Sequence, residues 1–185
     1  FISHDLDEAM RIGDRIAIMK DGQVVQVGTP DEILRNPADD YVRSFTHGVD
    51  AAAVFKAGDI ARKTQVVVSE QSSKGARAAL KMLEDQDRNY AYVVGPLQQY
   101  LGVVSAESLR SALDGHVGPL GLAPAFLSDV QPIAADQPVN GLYGQVAQCP
   151  YPVPVTTPDG KFQGAISKTT LLKFLDRDTP AVPAQ

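Results

Sequence analysis

The chain has 185 residues, 44% of them hydrophobic, and a formal net charge of -5, which is apolar material for one or two small cores. No half is strongly basic, which argues against nucleic acid as a partner. No apolar run approaches the roughly 20 residues of a membrane span, and no secretory signal is visible. The acid excess lies at the front: residues 1–54 carry about 5 basic and 10 acidic side chains, and the rest about 12 of each.

Phe1-Ile2-Ser3 reads as the end of a buried strand, and a chain that opens inside a strand is expected to be part of a longer one. Asp5 can cap a helix through Asp7 and Glu8, acids well placed against the helix dipole. Residues 15–19 form a short apolar run, followed by Asp21-Gly22 and then Val24, Val25 and Val27. Asp-Gly between such runs predicts a tight hairpin, because both central positions need positive φ. Thr29-Pro30-Asp31-Glu32 opens the next helix, with Thr29 as N-cap, Pro30 in the first turn and Glu32 completing a capping box. Asn36-Pro37 ends it, and another short helix is expected over 39–45. Residues 46–63 show no sustained apolar face and read as a connector, with a domain boundary near Val54.

Beyond it lies a weak internal repeat at an offset of about 62 residues. Gly102-Val103-Val104-Ser105 matches Gly164-Ala165-Ile166-Ser167, Leu80 falls on Leu142, Leu109 on Leu171 and Leu113 on Leu175. In the first copy strands are expected over 65–68, 90–94 and 100–104, with helices over 74–84 and 106–113. The second copy has strands over 153–155 and 162–166, a Pro158-Asp159-Gly160 turn between them, and a helix over 168–175. Its early helix is poor, since Gly141 and Gly144 each cost up to about 1 kcal/mol against alanine, and 124–137 looks irregular. Neither copy has the apolar surface to stand alone, so the two are expected to share a core.

Phe1-Ile2-Ser3-His4-Asp5-Leu6-Asp7-Glu8-Ala9, then Gly13-Asp14-Arg15-Ile16, Met19-Lys20-Asp21-Gly22, Gly28-Thr29-Pro30 and Glu32-Ile33, resembles the switch-histidine segment and tail of ATP-binding-cassette (ABC) ATPases. The resemblance implies that His4 hydrogen-bonds the γ-phosphate of ATP and helps hold the attacking water in line, chemistry that suits a histidine at a strand end. Read without its neighbours, His4 would sooner be a histidine packed at a strand end and donating to a backbone carbonyl; the surrounding motif reverses that preference. No G-x-x-x-x-G-K-[ST] loop occurs; Gly160-Lys161 is followed by Phe162. The ABC signature and the Walker B acids are also absent. The chain alone is therefore expected not to hydrolyse ATP, with ATP and Mg²⁺ used only by the parent.

The repeat resembles tandem CBS domains, β-α-β-β-α units that work in pairs. The implied fold is α+β or α/β, a partial ABC ATPase tail followed by a CBS pair: 1–54 for the ATPase part and connector, 55–124 and 125–178 for the repeats, 179–185 for a tail. In that family a hydroxyl and an Asp three positions on often hold the phosphate and ribose of an adenine nucleotide. Here the hydroxyls are Ser105 and Ser167, and Ser108 and Thr170 stand where the acids would be. A hydroxyl contacts ribose less strongly than a charged acceptor. The other reading is that Ser105 and Ser167 only cap the following helices. Tyr90, Tyr92 and Tyr100 fit either a base pocket or a core.

Together the halves resemble the ATPase subunit of glycine betaine and proline betaine importers, with Tyr41-Val42-Arg43, Phe45 and Gly48-Val49-Asp50 fitting the join. The resemblance implies a cytoplasmic subunit on the inner face of the membrane, a permease partner, and a homodimer through the CBS pair. Leu80, Leu83, Leu109, Leu113, Leu171, Leu172 and Leu175 are the candidates for its apolar face. The signal gating uptake would be an adenine nucleotide, a cyclic dinucleotide or ionic strength. A ligand-free dimerisation or spacing module stays open, as does an independent nucleotide-binding regulator. The lone cysteine, Cys149, cannot make an internal disulfide, and no metal-ligand set is visible.

Overall fold

A computed structural model describes residues 1–64, 66–70 and 75–176. The expected tail 179–185, and the expected starts of a strand at Gln65 and of a helix at Lys74, lie outside the described residues.

The first unit is built from local signals. Helix α1 (Leu6–Ile12) starts on Asp5, whose carboxylate accepts the Glu8 N–H at 3.0 Å. Strands β1 (Ile16–Lys20) and β2 (Gln23–Gly28) pair antiparallel. The turn between them takes positive φ at Asp21 (50°) and Gly22 (77°), as a two-residue hairpin turn requires. Helix α2 (Pro30–Arg35) carries the full capping box: Glu32 N–H donates to Thr29 Oγ1 at 3.2 Å and Thr29 N–H to Glu32 Oε2 at 2.9 Å. Helix α3 (Asp40–Thr46) is capped by Asp39. Met10, Ile18, Ile33 and Val42 form the small core of this unit. Residues 1–3 are not strand: among the described residues no backbone pairs with them, and Phe1 and Ile2 lie exposed. A strand needs a neighbour to satisfy its N–H and C=O groups.

Two three-stranded sheets follow. In the first, β3 (Val67–Ser69) runs parallel to β4 (Tyr90–Val94), and β4 pairs antiparallel with β5 (Tyr100–Ser105). A parallel pair needs a crossover, supplied by α6 (Ala76–Asp85), and α7 (Ala106–Leu113) closes the repeat. In the second, β6 (Ile133–Ala134) runs parallel to β7 (Val153–Thr156), and β7 pairs antiparallel with β8 (Phe162–Ile166). Its crossover helix α8 (Tyr143–Gln148) is short and contains Gly144, and α9 (Lys168–Asp176) ends it. The stretch expected to be irregular holds the two-residue strand β6.

The connector is not idle. Helices α4 (Ala51–Val54) and α5 (Ala57–Ile60) bury Ala51, Ala52, Phe55, Ala57 and Ile60 against Ile133, Leu142, Val155 and Ile166, the core of the second repeat. Arg62 then pairs with Ala165 on the edge of β8 through two hydrogen bonds of 2.9 and 3.0 Å. The first repeat has the counterpart: Phe126 bridges Val104, and Leu127 N–H donates to Val103 O at 2.9 Å. The segment entering each repeat therefore lies on the sheet of the other. Both crossings pass over the leading glycine of the repeated Gly-x-x-Ser. A Cβ on Gly164 would sit 2.7 Å from Arg62 O, and one on Gly102 would sit 2.9 Å from the Phe126 ring.

The sheets meet through aromatic side chains. Tyr92, Val103, Val130 and Ala165 are buried between them, with Tyr90, Tyr100, Tyr151 and Phe162 packed around. Tyr92 stacks on Phe162 at 4.8 Å between centroids, and its hydroxyl donates to Pro152 O at 2.6 Å. Tyr100 N–H donates to Gly160 O at 3.0 Å.

Candidate functional site

Ser105 ends β5 and caps α7. Its Oγ accepts the Ser108 N–H at 2.9 Å, while Ser108 Oγ accepts the Ser105 N–H at 2.9 Å and donates to Ser105 O at 3.1 Å. Ser167 stands in the matching place before α9: its Oγ accepts the Thr170 N–H at 3.0 Å and lies 2.9 Å from Thr170 Oγ1. Ser108 thus completes a capping box with Ser105, whereas Ser167 caps α9 through the Thr170 N–H and the Thr170 hydroxyl bonds the Ser167 hydroxyl; both satisfy backbone donors that a helix start leaves free. The geometry realises the capping alternative in both repeats. Binding is not thereby excluded, since Ser105 Oγ accepts in its bond to Ser108 N–H and keeps its own proton to donate. Ser105 is buried, whereas Ser108, Ser167 and Thr170 are half-buried.

The structure brings Ser105 to Ser108 and Ser167 to Thr170, and no hydrogen bond joins one pair to the other. His4 stands apart on the first unit, exposed and without a hydrogen-bond partner among the described residues. Its neighbours are ordered: Ser3 Oγ accepts the Asp5 N–H at 3.0 Å and donates to Glu8 Oε2 at 3.3 Å. The backbone at His4 is thus held while its ring remains free for an external acceptor.

Tyr90, Tyr92 and Tyr100 line the packed seam between the sheets. Burial, then the neighbouring Tyr90, raises Tyr92 far above the ordinary phenol range. Burial, with a smaller effect of Cys149, pushes Tyr100 up to about 12. Both stay neutral at physiological pH. The partners of this seam on the second repeat, Tyr151 and Phe162, were not singled out from sequence, although Phe162 occupies an inward position of a predicted strand. Among the described residues no group of His, Cys, Asp and Glu could hold a metal ion, and no helix is long and apolar enough to cross a membrane.

Of the leucines proposed for a dimer face, Leu83, Leu109 and Leu171 are core residues. Leu80 and Leu113 instead line a shallow open groove of about 520 Å³ between α6 and α7, with Glu107 and Arg110 at its rim. Leu172 is 65% exposed.

No family model matches the chain. It is 51% identical over 179 residues, 96% of its length, to the glycine betaine/proline betaine transport system ATP-binding protein ProV of Salmonella typhimurium. It is 35% identical over 175 residues to the glycine betaine/carnitine transport ATP-binding protein GbuA of Listeria monocytogenes. The chain spans 44% and 43% of the length of these two relatives. Among solved structures it resembles CbpB in complex with c-di-AMP, with a TM-score of 0.59 and 14% identity over 70% of this chain and 89% of that one. It also resembles a CBS domain pair/ACT domain protein of Thermotoga maritima, with a TM-score of 0.53 and 18% identity over 68% of this chain and all of that one. A third is CBSX2 in complex with AMP, with a TM-score of 0.53 and 16% identity over 66% and 97% of the two chains. The fold of the two repeats is that of a CBS domain pair.

Proposed function

Since this sequence matches the C-terminal region of the ATP-binding subunits of glycine betaine/proline betaine transport systems, we propose that it is the regulatory part of such a subunit. In this proposal the parent hydrolyses ATP to drive osmolyte uptake, and the CBS pair gates it in response to an adenine nucleotide, a cyclic dinucleotide or ionic strength. The observation that carries it is the 51% identity to ProV, which extends across both the first unit and the repeats. The parent would sit on the cytoplasmic face of the membrane through a permease subunit and pair with a second copy through the CBS repeats. The open groove with Leu80 and Leu113 and the exposed Leu172 support that pairing. The division at 54/55, 124/125 and 178/179 belongs to the same proposal, with α4 and α5 serving the core of the second repeat. Uptake by the complete transporter in vesicles, with and without residues 55–185 and across potassium chloride concentrations, tests this reading. Removal is expected to abolish the salt dependence, and an unchanged salt profile would overturn the gating role.

The ligand site in this proposal comprises Ser105 and Ser108 at one helix start and Ser167 and Thr170 at the other. Adenine nucleotides in CbpB and CBSX2 support the ligand class, and helix N-termini favour anions. With hydroxyls in place of both acids, AMP and ATP are expected to bind at millimolar rather than micromolar levels, a loss of about 4 kcal/mol at 1.4 kcal/mol per tenfold. Calorimetric titration with AMP, ATP and c-di-AMP measures this. Micromolar AMP binding that survives Ser105→Ala and Ser167→Ala would place the site elsewhere.

A second reading, a ligand-free dimerising spacer, is favoured by one observation: in each hydroxyl pair the leading serine caps its helix and the two side chains are engaged with their own pair. It predicts no heat with any of the three nucleotides.

A further inference from the structure

The first unit touches the second repeat through a stack of three side chains. The Arg35 guanidinium carbon lies 4.8 Å from the centroid of the Phe55 ring. Arg35 Nε donates to Asp31 Oδ1 at 2.6 Å, which orients the guanidinium. Phe55 meets Phe174 of α9 edge to face, at 5.3 Å and 73°, and is 6% exposed. Its backbone is fixed as well: Phe55 O accepts the Val139 N–H at 3.0 Å, and Phe55 N–H donates to Ala51 O at 2.8 Å. Leu34, one residue before Arg35, packs against both the core of the first unit and that of the second repeat.

We propose that the Arg35–Phe55–Phe174 stack is the joint through which the state of the second repeat reaches the helix that follows His4. This rests on the proposed regulatory role of the CBS pair and assigns it a path. Helix α9 starts at the Ser167–Thr170 cap and carries Phe174 one turn further on. Phe55 directly follows α4, which packs against α1 and α2 on one side and the 139–141 turn on the other. Helix α1 begins two residues after His4. A shift of α9 along its axis therefore moves Phe174 against a side chain that is clamped to both units. Packed helices commonly transmit such small displacements by sliding as units. Among the described residues the buried core of the first repeat contains none before Val66. The joint thus makes the second repeat, and its Ser167–Thr170 pair, the side of the module that speaks to the ATPase.

The test uses the complete transporter carrying this subunit in vesicles. ATP turnover is measured across potassium chloride concentrations and with and without c-di-AMP. Phe174→Ala and Arg35→Met are each expected to keep basal turnover within about twofold and to shrink the response to either signal by about fivefold, the effect of losing one well-placed ring or cation–ring contact. Arg35→Met covers the case in which Phe174→Ala fails to fold, because the Arg35 side chain is 44% exposed and its exchange opens no cavity. If deleting residues 55–185 removes the response while both point variants retain it in full, the joint is wrong and the regulatory role stands. If the deletion itself leaves the response intact, the regulatory role falls and the joint with it.

Discussion

In a complete ATP-binding subunit, His4→Ala is expected to lower ATP turnover by about 10²- to 10³-fold, the range seen when one donor to a reacting oxygen is removed. Nucleotide affinity should change by no more than about threefold, because a single hydrogen bond to the γ-phosphate matters more to the geometry of attack than to binding. Asp5 caps α1 and donates its N–H to Ser3 Oγ, so the backbone that follows His4 is tied down, while the imidazole is exposed and has no hydrogen-bond partner among the described residues. A histidine packed for stability would instead be buried with its N–H on a carbonyl. Phosphate release and nucleotide binding measured on the same preparation check both halves of the expectation. Wild-type turnover in the variant would remove His4 from the reaction. The chain by itself should release no phosphate above blank, since it holds no phosphate loop to bring ATP to the histidine.

The parts of this fold legible in the sequence are those decided over three or four residues. Asp5, Thr29 with Glu32, and Ser105 with Ser108 announce helix starts because cap and donor are near neighbours in the chain. Asp21-Gly22 announces the hairpin because its turn needs positive φ at both positions. The repeat was legible through Gly102 and Gly164, and the structure gives those glycines a reason that no local pattern contains. Each is crossed by a segment from the far side of the module, Phe126 in one case and Arg62 in the other. That exchange also explains why residues 51–62, within the stretch 46–63 that reads as a connector, show no sustained apolar face of their own. Their apolar side chains, three alanines with Phe55 and Ile60, are spread over two single-turn helices and the link between them, and the surface they cover lies roughly 80 to 110 residues away in the chain. The strand Ile133–Ala134 is not legible in the sequence because two residues carry no periodicity. The candidate site divides in the same way. The hydroxyl caps were visible, whereas the Arg35–Phe55–Phe174 contact joins three distant segments and left no mark on any one of them.

The strongest test of the packing is Tyr92→Ala. Tyr92 is fully buried, its ring stacks on Phe162 of the other repeat at 4.8 Å, and its hydroxyl donates to Pro152 O at 2.6 Å. Truncation empties the centre of the seam and leaves that carbonyl without its donor, at a cost of about 4 kcal/mol. For a chain of this size that corresponds to a melting temperature about 10–15 °C lower. Tyr92→Phe keeps the ring and loses only the hydroxyl, for about 1–2 kcal/mol, so the pair separates the stack from the hydrogen bond. The shape of the transition is as informative as its midpoint. Arg62 and Leu127 lock each entering segment onto the opposite sheet, so neither repeat can unfold without stripping the other of an edge partner. Both variants should therefore melt in one step when followed by circular dichroism. A split transition in Tyr92→Ala, with one half melting at the wild-type temperature, would mean that the repeats are stable separately and that the aromatic seam joins two finished domains.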